Sequence, residues 1–200
     1  IEFNLVWNEC YFGHKLGDKY ATFNGNNIAP LKQKKPPFWR YNNAFNQTLF
    51  SIFHMNNSNL MSYYNELKNN PYLFINGYPS SITTLADFII EFNLTPLKLD
   101  GIYTSSESLF ENQRIKMEKA FQCKVYDFYS NAEQTIFCFQ KENGTYNTSS
   151  LHSYVWFKET NIHIDGEKAY KVIGTNFNNY STFFINYDTG DLVLLDENKK

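Results

Sequence analysis

Tyr72-Leu73-Phe74-Ile75-Asn76-Gly77-Tyr78-Pro79-Ser80-Ser81 decides how this chain is read. A short apolar, aromatic-rich run has the composition of a buried strand, and the Gly-Tyr-Pro-Ser stretch that follows is turn chemistry at its carboxyl end. Beyond it, Leu85, Phe88, Ile89 and Phe92 recur at helical spacing, which predicts an amphipathic helix with those four side chains inward. Thr84 and Asp87 are spaced as a capping box for that helix. Strand, polar loop and helix within about 20 residues make half of a βαβ unit.

The same unit repeats on both sides. Upstream, Leu49 to Phe53 reads as a strand, and Asn57 or Ser58 is placed to cap a helix whose Leu60, Tyr63, Tyr64 and Leu67 share one face. Pro71 closes that helix. Downstream, Leu97 to Tyr103 reads as a strand ending in Thr104-Ser105-Ser106-Glu107. Ser108 and Glu111 then cap a helix to about Ala120 with Phe110, Met117 and Phe121 inward. Lys124 to Tyr129 is the next strand, closed by Ser130-Asn131-Ala132-Glu133. Strands joined by helices of this length predict an α/β fold with a parallel sheet flanked by helices. The ligand site of such a sheet lies at the carboxyl ends of its strands. Three polar loops fall there: 77–81, 104–107 and 130–133.

After residue 134 the pattern changes to short strands and turns at 135–140, 154–158, 161–164, 169–175 and 183–187, with Asp165-Gly166 as a hairpin turn. This predicts a mostly antiparallel β subdomain over 141–200, following an α/β part over 1–140. Glycines and prolines punctuate the first 45 residues, where a strand is expected only near Tyr20–Phe23.

Composition narrows the function classes. A formal net charge of −2 and the lack of a basic stripe give no footprint for nucleic acid. No apolar run reaches the roughly 20 residues of a membrane helix, and Ile1 to Trp7 lack the basic n-region of a signal peptide. A cytoplasmic protein is expected, cut from a longer one because the chain starts without methionine. Cys10, Cys123 and Cys138 are an odd number without metal spacing, and read as buried free thiols. His14, His54, His152 and His163 also lack metal spacing and read as surface or satisfied histidines.

Near the C-terminus, Tyr187-Asp188-Thr189-Gly190-Asp191 sets a tight turn before an aspartate able to accept from two vicinal hydroxyls. Taken with Pro36-Pro37-Phe38-Trp39-Arg40-Tyr41-Asn42, Gly77-Tyr78-Pro79-Ser80, Thr104-Ser105-Ser106-Glu107 and Tyr129-Ser130-Asn131-Ala132-Glu133, the ordered set resembles the adenylate-forming, acyl-CoA-synthetase-like superfamily. The nearest likeness is its phenylacetate–coenzyme A ligase-like branch, which includes the capsular-polysaccharide CapK proteins. The resemblance spans essentially the whole chain and implies the following roles. Thr104, Ser105, Ser106 and Glu107 line the adenine pocket, largely through backbone. Tyr129 stacks on adenine within the Ser130, Asn131, Ala132 loop. Glu133 helps bind Mg²⁺ on the ATP phosphates, and Asp191 holds the ribose. Gly77, Tyr78, Pro79 and Ser80 border a carboxylate substrate. The implied reaction forms acyl-AMP from a carboxylate and ATP, with coenzyme A or another acceptor taking the acyl group.

Plainer readings of the same residues stay open. Glu133 can be a first-turn carboxylate on a helix dipole, Tyr129 a core aromatic and Asp191 a turn residue. Departures from the family pattern matter too. The phosphate-binding loop is expected upstream of Ile1 and the lid domain with its lysine beyond Lys200, so this chain alone is expected to be inactive. Ser130 replaces a glycine, Ala132 a hydroxyl residue and Asn186 an arginine; a lost charged hydrogen bond costs on the order of 1–3 kcal/mol. In the β part Cys138 persists, but Asn147 stands where a histidine is expected, so no zinc is expected. A degenerate, non-catalytic nucleotide-binding or complex-forming family member is therefore the alternative.

Overall fold

A computed structural model describes residues 13–141 and 144–196. Cys10 and the segment Ile1 to Trp7 lie outside the described residues. The chain divides into two compact units, the first ending at Val125 and the second starting at Tyr126.

The first unit is built on β1 (Tyr20–Asn24), β2 (Trp39–Asn42), β3 (Gln47–Ser51), β4 (Phe74–Gly77) and β5 (Gly101–Ser105) in the order β2-β3-β1-β4-β5. The pairs β3–β1, β1–β4 and β4–β5 are parallel, and only β2 runs antiparallel against β3. Three helices connect them: α1 (Leu60–Asn69), α2 (Pro79–Glu91) and α3 (Glu111–Phe121). The parallel α/β sheet read from the sequence is the one observed. The strand expected near Tyr20–Phe23 is β1, and its place is central: it sits between β3 and β4, and its Ala21 and Phe23 are fully buried.

Aromatic rings fill the core. Phe23 stacks on Phe50 at 4.7 Å, and Trp39, Phe38 and Tyr63 close around the same ring cluster. Tyr63 delivers its hydroxyl to the Ser51 carbonyl at 2.7 Å, the polar partner that a buried phenol needs. The helix stripes Leu60, Tyr63, Tyr64, Leu67 and Leu85, Phe88, Ile89 are buried as the spacing required.

Several helix starts differ from expectation. Neither Asn57 nor Ser58 caps α1, because the chain turns on the Asn56 carboxamide, which accepts from the Ser58 hydroxyl and the Asn59 N–H. Helix α2 starts at Pro79, so Thr84 and Asp87 lie inside it; Thr84 bonds the Ser80 carbonyl and Asp87 pairs with Lys116. Phe110 precedes α3 and is exposed, while Gln113 takes its backbone N–H at 3.0 Å, so neither Ser108 nor Glu111 caps this helix. Phe92 falls past the end of α2, packs on Phe88 at 4.7 Å and is otherwise exposed. At α1 and α3 local side chain–backbone bonding moved the boundary that periodicity suggested.

The second unit is antiparallel. β6 (Lys124–Ser130), β7 (Phe137–Gln140) and β8 (Tyr146–Thr148) pair in sequence order. A separate sheet has the order β11-β10-β9, from β9 (Ser153–Ile164), β10 (Glu167–Asn176) and β11 (Tyr187–Leu194). Asp165-Gly166 turns β9 into β10 with φ of 52° and 86°, the primed geometry expected of that dipeptide. The two strands read at 154–158 and 161–164 are one. The strand expected at 183–187 is displaced to β11, because Asn186 is left-handed at φ 51° and breaks the extended run. Ile136, Cys138 and Val172 form this unit's own small core.

Candidate functional site

In the first unit the loops after β4 and β5 meet. Gly77 ends β4 beside Phe23 on one side and Thr104 on the other. A Cβ there would lie 2.2 Å from the Phe23 carbonyl oxygen, so only glycine fits. Pro79 opens α2 at a position where a proline costs no hydrogen bond. The Glu107 carboxylate then accepts from the Ser80 N–H and the Ser80 hydroxyl, each at 3.0 Å. A negative charge thus sits on the first turn of α2, where exposed N–H groups and the helix dipole favour it. Thr104 is buried, whereas Ser106 and Glu107 are exposed and Ser106 adopts φ 70°. So Gly77, Tyr78, Pro79, Ser80 and Thr104, Ser105, Ser106, Glu107 form one constellation, and the Glu107 side chain is committed to holding it.

In the second unit two phenol–carboxylate pairs bring together residues distant in sequence. Tyr129, on β6, donates to Asp191 Oδ2 at 2.5 Å, and Tyr187, at the start of β11, donates to Glu133 Oε1 at 2.8 Å. Partial burial, then the Asp191 carboxylate, raises the Tyr129 phenol well above its ordinary range; the hydrogen bond to Glu133 raises Tyr187. Both therefore remain donors at neutral pH. The turn into β11 is built locally: Asp188 accepts from Gly190 N–H at 3.0 Å and from Lys171 Nζ at 2.6 Å, and the Thr189 hydroxyl receives the Asp191 N–H at 3.2 Å.

The loop from Ser130 to Glu133 is held by its own side chain. Asn131 Oδ1 accepts from Thr135 N–H at 2.9 Å, and Asn131 Nδ2 donates to the Thr135 hydroxyl at 2.7 Å. Ala132 and Ser130 are exposed. Asn186, in place of an arginine, accepts from the Trp156 indole at 3.0 Å. Two residues to which the sequence reading gave no role support the site. Tyr187 orients Glu133, and buried Asn176 donates to the Glu133 carbonyl at 3.2 Å. No spacing rule could have found them, since their partners are 54 and 43 residues away.

Among the described residues no cluster of three or more His, Cys, Asp or Glu side chains could hold a metal. Glu133 is a single carboxylate with one oxygen engaged by Tyr187, a donor set that suits a hard cation carried mainly by phosphates and water. The described thiols are protonated: burial pushes Cys138 up to about 12, and burial with Glu118 and Asp100 does the same to Cys123. Cys138 is buried and Cys123 half-buried. His14 and His54 are buried and hydrogen-bonded, His14 to the Tyr103 hydroxyl at 2.8 Å and His54 to the Ser51 hydroxyl at 2.8 Å. No described helix is long and apolar enough to cross a membrane.

Solved structures share this fold. An open conformation of 2-hydroxyisobutyryl-CoA ligase, in complex with 2-HIB-AMP and CoA, superposes with a TM-score of 0.59 and 17% identity, over 95% of this chain and 45% of that one. A benzoate CoA ligase from Burkholderia xenovorans LB400 gives 0.55 and 14%, over 98% of this chain and 44% of that one. The fold is that of the adenylate-forming acyl-CoA ligases. Protein CapK of Staphylococcus aureus is 31% identical over 184 residues, 90% of this chain. The chain spans 39% of the length of CapK. No protein-family model matches it.

Proposed function

We propose that this chain is the nucleotide-handling core of an ATP-dependent ligase that activates a carboxylate as acyl-AMP and can pass the acyl group to coenzyme A. The observation that carries the reading is the pair of phenol–carboxylate contacts in the second unit, Tyr129–Asp191 and Tyr187–Glu133, which engage Tyr129, Glu133 and Asp191, the residues to which the sequence resemblance gives nucleotide roles. Asp191 would accept from the ribose hydroxyls, taking them in place of or beside the Tyr129 phenol. Glu133 would offer its free oxygen to Mg²⁺, which neutralises phosphate charge when bound. Thr104 to Glu107 keep the adenine-lining role implied by the resemblance, through backbone because the Glu107 carboxylate serves Ser80. Gly77 to Ser80 border the carboxylate substrate. A cytoplasmic place in surface-polysaccharide synthesis is the setting that the sequence resemblance implies, and the isolated chain would not turn over.

ATP–pyrophosphate exchange by the full-length protein over a panel of carboxylates tests this. Exchange that requires one acid and falls at least about 100-fold in Glu133→Gln supports the ligase, since removal of one preorganised charge interaction costs about that much. A second reading, a degenerate nucleotide-binding member, is favoured by exposed Ala132 and by Asn186 being tied to Trp156. AMP binding that weakens in Asp191→Ala, without exchange for any acid, would favour that reading.

A further inference from the structure

Glu133 is fixed from two directions, by side chains that the sequence motifs leave without a role. Its carboxylate receives the Tyr187 hydroxyl at 2.8 Å, and its carbonyl receives the Asn176 carboxamide at 3.2 Å. Asn176 is only 7% exposed and does more than hold one carbonyl. Its Oδ1 accepts from the Phe184 N–H at 3.3 Å, and its own N–H donates to the Phe184 carbonyl at 3.1 Å. It therefore clamps the segment that leads into Tyr187 to the loop that carries Glu133. Phe184 meets the Tyr187 ring edge-on at 5.1 Å, which sets the direction of the phenol.

We propose that Tyr187 and Asn176 are positioning residues for Glu133, together leaving one defined carboxylate oxygen for a divalent cation on the nucleotide phosphates. The chemistry follows from the donor count. A carboxylate with one oxygen saturated by a phenol offers its other oxygen as a monodentate ligand, the mode suited to octahedral Mg²⁺, which keeps several waters. A hydrogen bond that orients a ligand raises its metal affinity, and loss of such a partner typically costs 10- to 100-fold. Tyr187 lies inside the quoted Tyr-x-Thr-Gly-Asp stretch, so part of that stretch serves the cation while Asp191 serves the sugar. This inference rests on the ligase reading only in taking Glu133 as the cation's carboxylate.

The test is Mg²⁺ titration of ATP binding, by calorimetry on the full-length protein, with pyrophosphate exchange measured in parallel. Tyr187→Phe keeps the ring and removes only the hydroxyl. It should raise the Mg²⁺ concentration at half-maximal ATP binding about 10-fold, with metal-free AMP affinity unchanged. Asn176→Asp, nearly the same size but without the donor, should shift the same midpoint in the same direction. The double variant Tyr187→Phe/Glu133→Gln should be no worse than Glu133→Gln alone, since residues acting through one another are not additive. An unshifted midpoint in Tyr187→Phe, or additive effects in the double variant, overturns the proposal. Wild-type protein that binds ATP with Mg²⁺ dependence but exchanges with no carboxylate sinks the ligase reading and leaves the positioning roles standing. ATP binding that ignores Mg²⁺ in the wild type sinks the positioning proposal itself.

Discussion

The loop at Gly77 in the first unit and the loop at Glu133 in the second show two ways of holding a polar site. Around Gly77 the backbone itself is wedged: the Phe23 carbonyl leaves no room for a side chain, and fully buried Ala21, Phe23 and Ile75 stand behind it. Around Glu133 the holding is done by side-chain donors, Tyr187 and Asn176, on strands that arrive much later in the chain. A wedged backbone resists change at one residue only, whereas a network of donors spreads the same task over several. Substitutions in the first loop should therefore register in stability, and those in the second in ligand binding.

Gly77→Ala should give the largest effect. Its Cβ would sit inside the contact distance of a main-chain oxygen that cannot swing aside, so we expect a loss of about 3 kcal/mol or more by urea unfolding. A loss under about 1 kcal/mol would mean the strand end is loose and would erase the contrast between the loops. Glu107→Ala removes the acceptor on the first turn of α2 and should cost about 1 kcal/mol, with no change in AMP affinity beyond twofold. A large fall in AMP affinity there would place the Glu107 carboxylate in the nucleotide site.

Smaller effects come from pH. Burial lowers the His14 pKa from its ordinary 6.5, against the pull of Asp100 and Asp18. The ring stacks on Phe74 at 4.4 Å, and its Nδ1 can accept the Tyr103 proton only while neutral. Above pH 6.5 the ring is neutral folded or unfolded, and no penalty applies. As pH falls below 6.5 the unfolded chain takes up the proton first, so stability should decline through that window until the folded pKa is passed. His14→Gln should flatten that part of the stability–pH curve. An unchanged slope would assign the decline to His152, which burial also lowers. The faintest effect belongs to Asp188. Its hydrogen bond to Lys171 lowers its pKa, so its contribution is present above the unfolded value of 3.8 and is lost as pH falls through the lower folded one. Lys171→Met should remove that step in acid unfolding and lower neutral-pH stability by the same small amount, as exposed pairs contribute little, while leaving stability below the folded pKa unchanged.

Periodicity made the helices legible because a stripe of Leu60, Tyr63, Tyr64 and Leu67 can be buried in only one way. Where helices begin was less legible, since Asn56, Gln113 and Glu107 settle those ends through bonds that short-range rules do not rank. Strand β1 was faint because its five residues carry little pattern of their own and are defined by the neighbours they pair with. The turn at Asp165-Gly166 was plain, for its two left-handed residues are a local preference.

By itself, then, the sequence determined what local chemistry encodes: the parallel α/β unit, the antiparallel strands after it, and the glycine that ends β4. Tertiary structure alone decided which of those groups touch. Tyr129 meets Asp191 across 62 residues, and Tyr187 meets Glu133 across 54. Such pairings depend on strand order and register. These are set by the burial of whole faces rather than by any residue's own preference.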